Sequence, residues 1–185
     1  GGRAALGSAS TVVRLSPKGP PQVLRSGFLD EEGIDRVGVR KFVFVCTGNT
    51  CRSPMAEAMA RHMLAERLGM DDDSPDALAG QGYAVESAGV AAYPGSPAAD
   101  NAQAVMREFG LDITGHSSQP LSEALVESAA RVVGLTMGHA DGIARSFPDH
   151  GDKILVLDAR GVPDPIGGSL DVYRQCAAHI AARLE

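Results

Sequence analysis

Short unbroken apolar runs alternate along this chain with stretches in which apolar residues recur every third or fourth position. The runs read as buried strands and the spaced stretches as helices. Four strands are predicted, at residues 42–45, 83–90, 131–135 and 153–157. The first helix is expected to open with Ser53 as N-cap and Pro54 at its first position. Its apolar face is Met55, Ala56, Met59, Ala60, Met63, Leu64 and Leu68. A second helix is predicted over residues 97–110, burying Ala98, Ala102, Val105, Met106 and Phe109 and stopping at Gly110. A third opens near Thr136 and runs towards Phe147, and an amphipathic helix over residues 170–184 closes the chain with Cys176 inside. Residues 70–82 are acidic and rich in helix breakers, which predicts a solvated loop. Strands alternating with helices imply an α/β fold, a four-stranded parallel sheet covered on both faces.

Residues 1–40 follow no such pattern. Residues 10–15 and 22–24 read as short strands around the Pro/Gly turn at 16–21, with a helical turn near 30–34. Two strands without a partner layer are marginal alone. The segment reads as a leader or as the tail of a larger upstream domain, and residues 41–185 as the folded domain.

Composition narrows the function. With 185 residues, 44% of them hydrophobic, the chain has enough material for one core. Its formal net charge of -6 argues against bulk electrostatic binding of nucleic acid. No apolar run approaches a membrane span, so no membrane partner is expected. Three cysteines make no disulfide framework and favour a reducing, cytosolic compartment. The chain begins Gly1-Gly2 without methionine and reads as a fragment or a processed product.

The chemistry concentrates in Cys46-Thr47-Gly48-Asn49-Thr50-Cys51-Arg52-Ser53-Pro54. A polar loop between a strand and a helix start leaves backbone N–H groups unpaired at the positive end of the helix dipole, which makes an anion site. A curled loop brings the Arg52 guanidinium to face the Cys46 sulfur across a bound anion. Arginine suits that place because its planar fork grips two phosphate oxygens. The same positive field favours the thiolate, a nucleophile aimed at phosphorus. No Gly-Lys-Ser/Thr follows, so the loop is not a Walker A motif. A zinc site at Cys46 and Cys51 lacks a second cysteine pair or closely spaced histidines, and no metal or cofactor is expected.

At these residues the sequence resembles the low-molecular-weight protein tyrosine phosphatase family. More closely, it looks like the protein-arginine phosphatase branch, whose loop commonly reads Cys-Thr-Gly-Asn-Thr-Cys-Arg-Ser-Pro, and the likeness runs from about Lys41 to the C-terminus. The resemblance implies a cysteinyl-phosphate mechanism on a phosphorylated protein substrate. It casts Cys46 as nucleophile, Arg52 and the loop residues 47–53 as phosphate binders, and Asp164 of Asp164-Pro165 as general acid. Ile166 departs from the family's usual aromatic after that dipeptide. Ser53 is placed to donate to the Cys46 thiolate. Ser87 and His116 are implied as partners of Asn49, and Cys46 and Cys51 as a redox pair. Thr50 marks the arginine branch, where tyrosine-specific members carry an apolar residue. Tyr93 falls where those members often place an aromatic wall. His139 is given no catalytic role. The alternatives are a tyrosine phosphatase of the same family, a thiol-linked arsenate reductase, and a phosphate-binding module without turnover. Residues 10–13 and 23–27 resemble the end of the threonylcarbamoyl-AMP synthase family, with Arg14 where that family usually has Asp, which implies a fusion.

Overall fold

A computed structural model describes residues 11–14, 22–27 and 38–185. Strands β1 (Val12–Arg14) and β2 (Gln22–Arg25) pair antiparallel as a separate two-stranded sheet. The helical turn expected near residues 30–34 lies outside the described residues.

The main sheet has four parallel strands, β3 (Arg40–Cys46), β4 (Tyr83–Gly89), β5 (Arg131–Gly134) and β6 (Ile154–Val156), in the order β4-β3-β5-β6. Central β3 alternates its side chains between two cores, as a pleated strand must. Phe44 and Cys46 face one core, and Val43 and Val45 the other. The first core is closed by α1 (Arg52–Leu68), α3 (Asp100–Glu108) and α6 (Leu170–Leu184), through Met55, Met59, Val105, Met106, Tyr173 and Ile180. The second is closed by α4 (Glu123–Ser128) and α5 (Met137–Ser146), through Leu125, Val126 and Ile143. Val43 and Val45 are fully buried, each contributing about 1.5–3 kcal/mol.

Four expectations need correction. Helix α1 begins at Arg52 with Cys51 as N-cap, so Ser53 lies inside the first turn rather than capping it. The Ser53 hydroxyl is instead taken by Cys46 and Asn49. Residues 70–82 are not all loop, because α2 (Pro75–Gly80) forms there, capped by the Ser74 side chain and anchored by fully buried Leu78. One turn and a half is too short to show a period. The predicted helix at 97–110 starts only at Asp100. The Ala99 N–H donates to the Thr50 carbonyl at 2.8 Å, which holds residues 97–99 against the Cys46–Arg52 loop. Phe109 lies past the end of α3 and is exposed. Lys153 ends a 3₁₀ turn (Pro148–Lys153), and β6 begins one residue later.

Candidate active site

All four main strands end on the same side, and the loop after β3 curls there. Its tightest point is Asn49, whose φ of 55° lies in the left-handed region, a conformation that asparagine tolerates better than most residues. Asn49 is fully buried and every polar group of its side chain is used. Its Nδ2 donates to Ser53 Oγ at 2.9 Å and Ser87 Oγ at 2.8 Å. Its Oδ1 accepts from the Gln119 N–H at 2.8 Å. His116 Nε2 donates to the Asn49 carbonyl at 2.7 Å. These bonds outweigh the strain of about 1–2 kcal/mol that a left-handed residue stores. Ser87 and His116 therefore both meet Asn49, the histidine through the main chain.

Cys46 is buried at the end of β3. Its Sγ accepts from the Asn49 N–H at 3.3 Å and lies 3.0 Å from Ser53 Oγ. Behind the loop, Gly89 leaves no room for a side chain, since a Cβ there would sit 2.5 Å from the Thr47 carbonyl oxygen. Val90 and Ala91 donate back to the Cys46 and Thr47 carbonyls at 3.0 and 2.9 Å.

The second loop lies between β6 and α6. Arg52, nearly buried, reaches it with both terminal nitrogens. Nη2 pairs with Asp164 Oδ2 at 2.6 Å and Nη1 donates to the Val162 carbonyl at 3.3 Å. Asp164 is 46% exposed, so it is open to a ligand from solvent. One guanidinium thus joins the thiol-bearing loop to the carboxylate-bearing loop.

The remaining predicted residues sit around this centre. Thr50 is half-buried; its carbonyl is bound by Ala99, and its hydroxyl lies 3.7 Å from Cys51 Sγ. Cys51 Sγ lies 3.2 Å from the buried Tyr173 hydroxyl, whose pKa is raised by burial and then by that thiol. Cys176 is buried as expected, and burial pushes its thiol up to about 12. Tyr93 is 83% exposed with its ring in solvent, and its carbonyl accepts from Ser118 Oγ. Ile166 is also exposed.

Three further residues belong to the site. Glu57 Oε2 accepts from Ser87 Oγ at 2.6 Å, extending the chain from Cys46 through Ser53, Asn49 and Ser87. Burial raises the Glu57 pKa, against the opposing effects of Ser87 and then Arg61. Glu57 lies one turn after Ser53, a spacing visible in the sequence. Gln119 steadies Asn49 and had no local signal. His139 is buried and bridges Thr47 and Thr136 at 3.0 Å to each. The Thr-x-x-His spacing at a helix start is the local signal that could have found it. Among the described residues no cluster of three or more His, Cys, Asp or Glu can hold a metal ion, and no helix is long and apolar enough to cross a membrane.

Comparison with known proteins gives concordant matches. The family described as low molecular weight phosphotyrosine protein phosphatase matches residues 41–185. A protein-arginine-phosphatase of Bacillus subtilis is 41% identical over 139 residues, covering 72% of this chain and 84% of that protein. An arsenate reductase of Bacillus cereus is 31% identical over 142 residues, 77% of this chain and 89% of the other. Among solved structures, the YwlE arginine phosphatase in a Cys-to-Ser mutant with a phosphorylated active-site serine superposes with a TM-score of 0.67. It shares 37% identity over 78% of this chain and 90% of that one.

Proposed function

We propose that this chain, which belongs to the low molecular weight phosphotyrosine protein phosphatase family, hydrolyses phosphoarginine on proteins through a cysteinyl-phosphate. The observation that carries the reading is the Arg52 guanidinium, held between the Cys46 loop and Asp164. A phosphoryl dianion entering the loop meets the guanidinium and the N–H groups at the start of α1, which hold its outer oxygens. The Cys46 sulfur attacks phosphorus in line as the bond to the leaving nitrogen breaks. Asp164 gives that nitrogen its proton. Water then attacks the cysteinyl-phosphate with Asp164 as base, and the sulfur–phosphorus bond breaks. Ser53, 3.0 Å from the sulfur, donates to the departing thiolate. Orthophosphate is released. The free thiols of all three cysteines suit a reducing, cytosolic setting.

Substrate choice rests on Thr50 and Asp164, two acceptors for the N–H donors of a guanidinium. A phosphotyrosine ring has no such donors and needs apolar walls. Tyr93 and Ile166, the candidates for those walls, both stand in solvent. Relatives named for arginine phosphatase activity support the same choice. Arsenate reduction, suggested by other relatives, needs cysteines that relay a disulfide outward. The only cysteine beyond the loop is Cys176, buried with its thiol held protonated.

The test is turnover of phosphoarginine and phosphotyrosine peptides side by side. Wild type is expected to favour phosphoarginine. Thr50→Ile strands a donor at about 1–3 kcal/mol and shifts kcat/KM towards phosphotyrosine by roughly 10-fold or more. A wild type that prefers phosphotyrosine, with a ratio unmoved by Thr50→Ile, refutes the arginine assignment.

A further inference from the structure

We infer that His139 is a positioning residue that ties the phosphate loop to the loop carrying Asp164, through paired hydrogen bonds to Thr47 and Thr136. The inference rests on the phosphatase reading of the site and adds a group to it.

His139 lies buried in the first turn of α5, directly after the strand end at Leu135 and Thr136. Its Nε2 is 3.0 Å from Thr47 Oγ1, the residue directly after Cys46. Its Nδ1 is 3.0 Å from Thr136 Oγ1, which also accepts the His139 N–H at 3.2 Å. The strand end before Thr136 is bonded both ways. The Leu135 N–H donates to the Val45 carbonyl, and the Leu135 carbonyl accepts from the Val162 N–H, each at 3.0 Å. A Cβ built on Gly161 would touch the Thr136 methyl at 3.4 Å. Leu135, Thr136 and His139 thus form one strut, with the thiol loop on one side and the Asp164 loop on the other.

The protons fix how the ring works. Burial, and after it the charge of Arg52, hold the imidazole below its usual pKa, with Asp164 opposing. A neutral ring has one donor and one acceptor. If Nδ1 carried the hydrogen, the Thr136 hydroxyl hydrogen would have no acceptor among these bonds. With Nδ1 accepting from Thr136, Nε2–H donates to Thr47 Oγ1. A core histidine that merely filled space, or only capped α5, would not need the Thr47 bond. The inference turns on that bond.

The test uses the full chain, with orthophosphate binding read by calorimetry and turnover of p-nitrophenyl phosphate and phenyl phosphate. Variants are His139→Ala, His139→Gln, Thr47→Val and the His139→Ala/Thr47→Val double. Thr47 is exposed, so Thr47→Val removes the bond without hollowing the interior. His139→Ala and Thr47→Val should each weaken orthophosphate about 5–10-fold, the worth of about one hydrogen bond. The double variant should be no worse than the more severe single, as for two ends of one bond. His139→Gln, whose amide N–H can replace Nε2–H, should recover most of the binding. Orthophosphate affinity within two-fold of wild type in Thr47→Val, or losses that simply add in the double variant, overturn the inference. Wild type inert on phosphoarginine peptides as well as on both esters would instead refute the phosphatase reading, while the binding comparison still decides the role of His139.

Discussion

Gly89→Ala should disable the site while leaving the fold largely standing. Gly89 does not have a positive φ, so alanine is compatible with its backbone and the cost is steric. The added Cβ would lie 2.5 Å from the Thr47 carbonyl oxygen, 2.8 Å from Ala92 Cβ and 3.0 Å from the Asn49 nitrogen. Two of those three atoms are main chain of the phosphate loop. The loop cannot swing clear, because Thr47 O is held by the Ala91 N–H at 2.9 Å and Asn49 is fixed by its buried bonds. Relief therefore requires the loop to retreat by roughly 0.5–1 Å, at about 1–3 kcal/mol of stability. The same shift moves the Asn49 N–H relative to Cys46 Sγ and the loop N–H groups relative to phosphate. A misplacement near 1 Å costs about 10²-fold in rate. The assay pairs urea denaturation with kcat/KM on p-nitrophenyl phosphate. Gly142→Ala is the comparison, since a Cβ there meets nothing within 4 Å inside α5. That change should stabilise the helix by about 0.5–1 kcal/mol and leave turnover alone. A Gly89→Ala protein that keeps kcat/KM within three-fold of wild type refutes the close-packing argument.

Asp164→Asn should slow hydrolysis of a poor leaving group by about 10²–10⁴ and an activated one less; equal losses on both would remove Asp164 from the acid role. Peroxide converts a thiolate to a sulfenic acid, which the Cys51 thiol can capture as a disulfide with loss of water. Cys51→Ser should therefore recover less activity than wild type when reductant follows peroxide, and equal recovery counts against the pair. Asp158 is buried and held far below the ordinary carboxylate range, first by the Arg160 N–H and then by His179. A depressed folded value gives stability that is present above about pH 4 and lost as pH falls below it. Asp158→Asn should be less stable than wild type at pH 7, and the gap should close in denaturation curves taken below pH 4; a gap constant with pH would mean the charge is not the source.

The four strands and the thiol loop were legible because their signals are local. An apolar run of β-formers fixes β3, and Cys46 to Pro54 packs a thiol, a guanidinium and a helix start into nine consecutive residues. Helix α2 was hidden because six residues carry too little periodicity to register, and Leu78 alone anchors it. The scaffold of the loop was only partly legible, because its bonds cross long separations. Asn49 meets Ser87 and Gln119, and Thr47 meets His139, across strands that only the sheet brings together.

Ser53 shows how local and tertiary signals compete. Followed by proline at the head of an apolar stripe, it has the form of an N-cap, a role worth about 1 kcal/mol at a solvent-exposed helix end. The helix end here is not exposed. Ser53 is fully buried, and beside it lie the Asn49 amide and the Cys46 sulfur, both of which need partners inside the protein. Leaving such groups unpaired costs about 1–3 kcal/mol each, more than a cap returns. The hydroxyl therefore turns inward, and α1 starts one residue before Ser53 with no side-chain cap. Its first N–H groups are left without a side-chain cap because the obvious capping residue meets the Cys46 sulfur and the Asn49 amide instead.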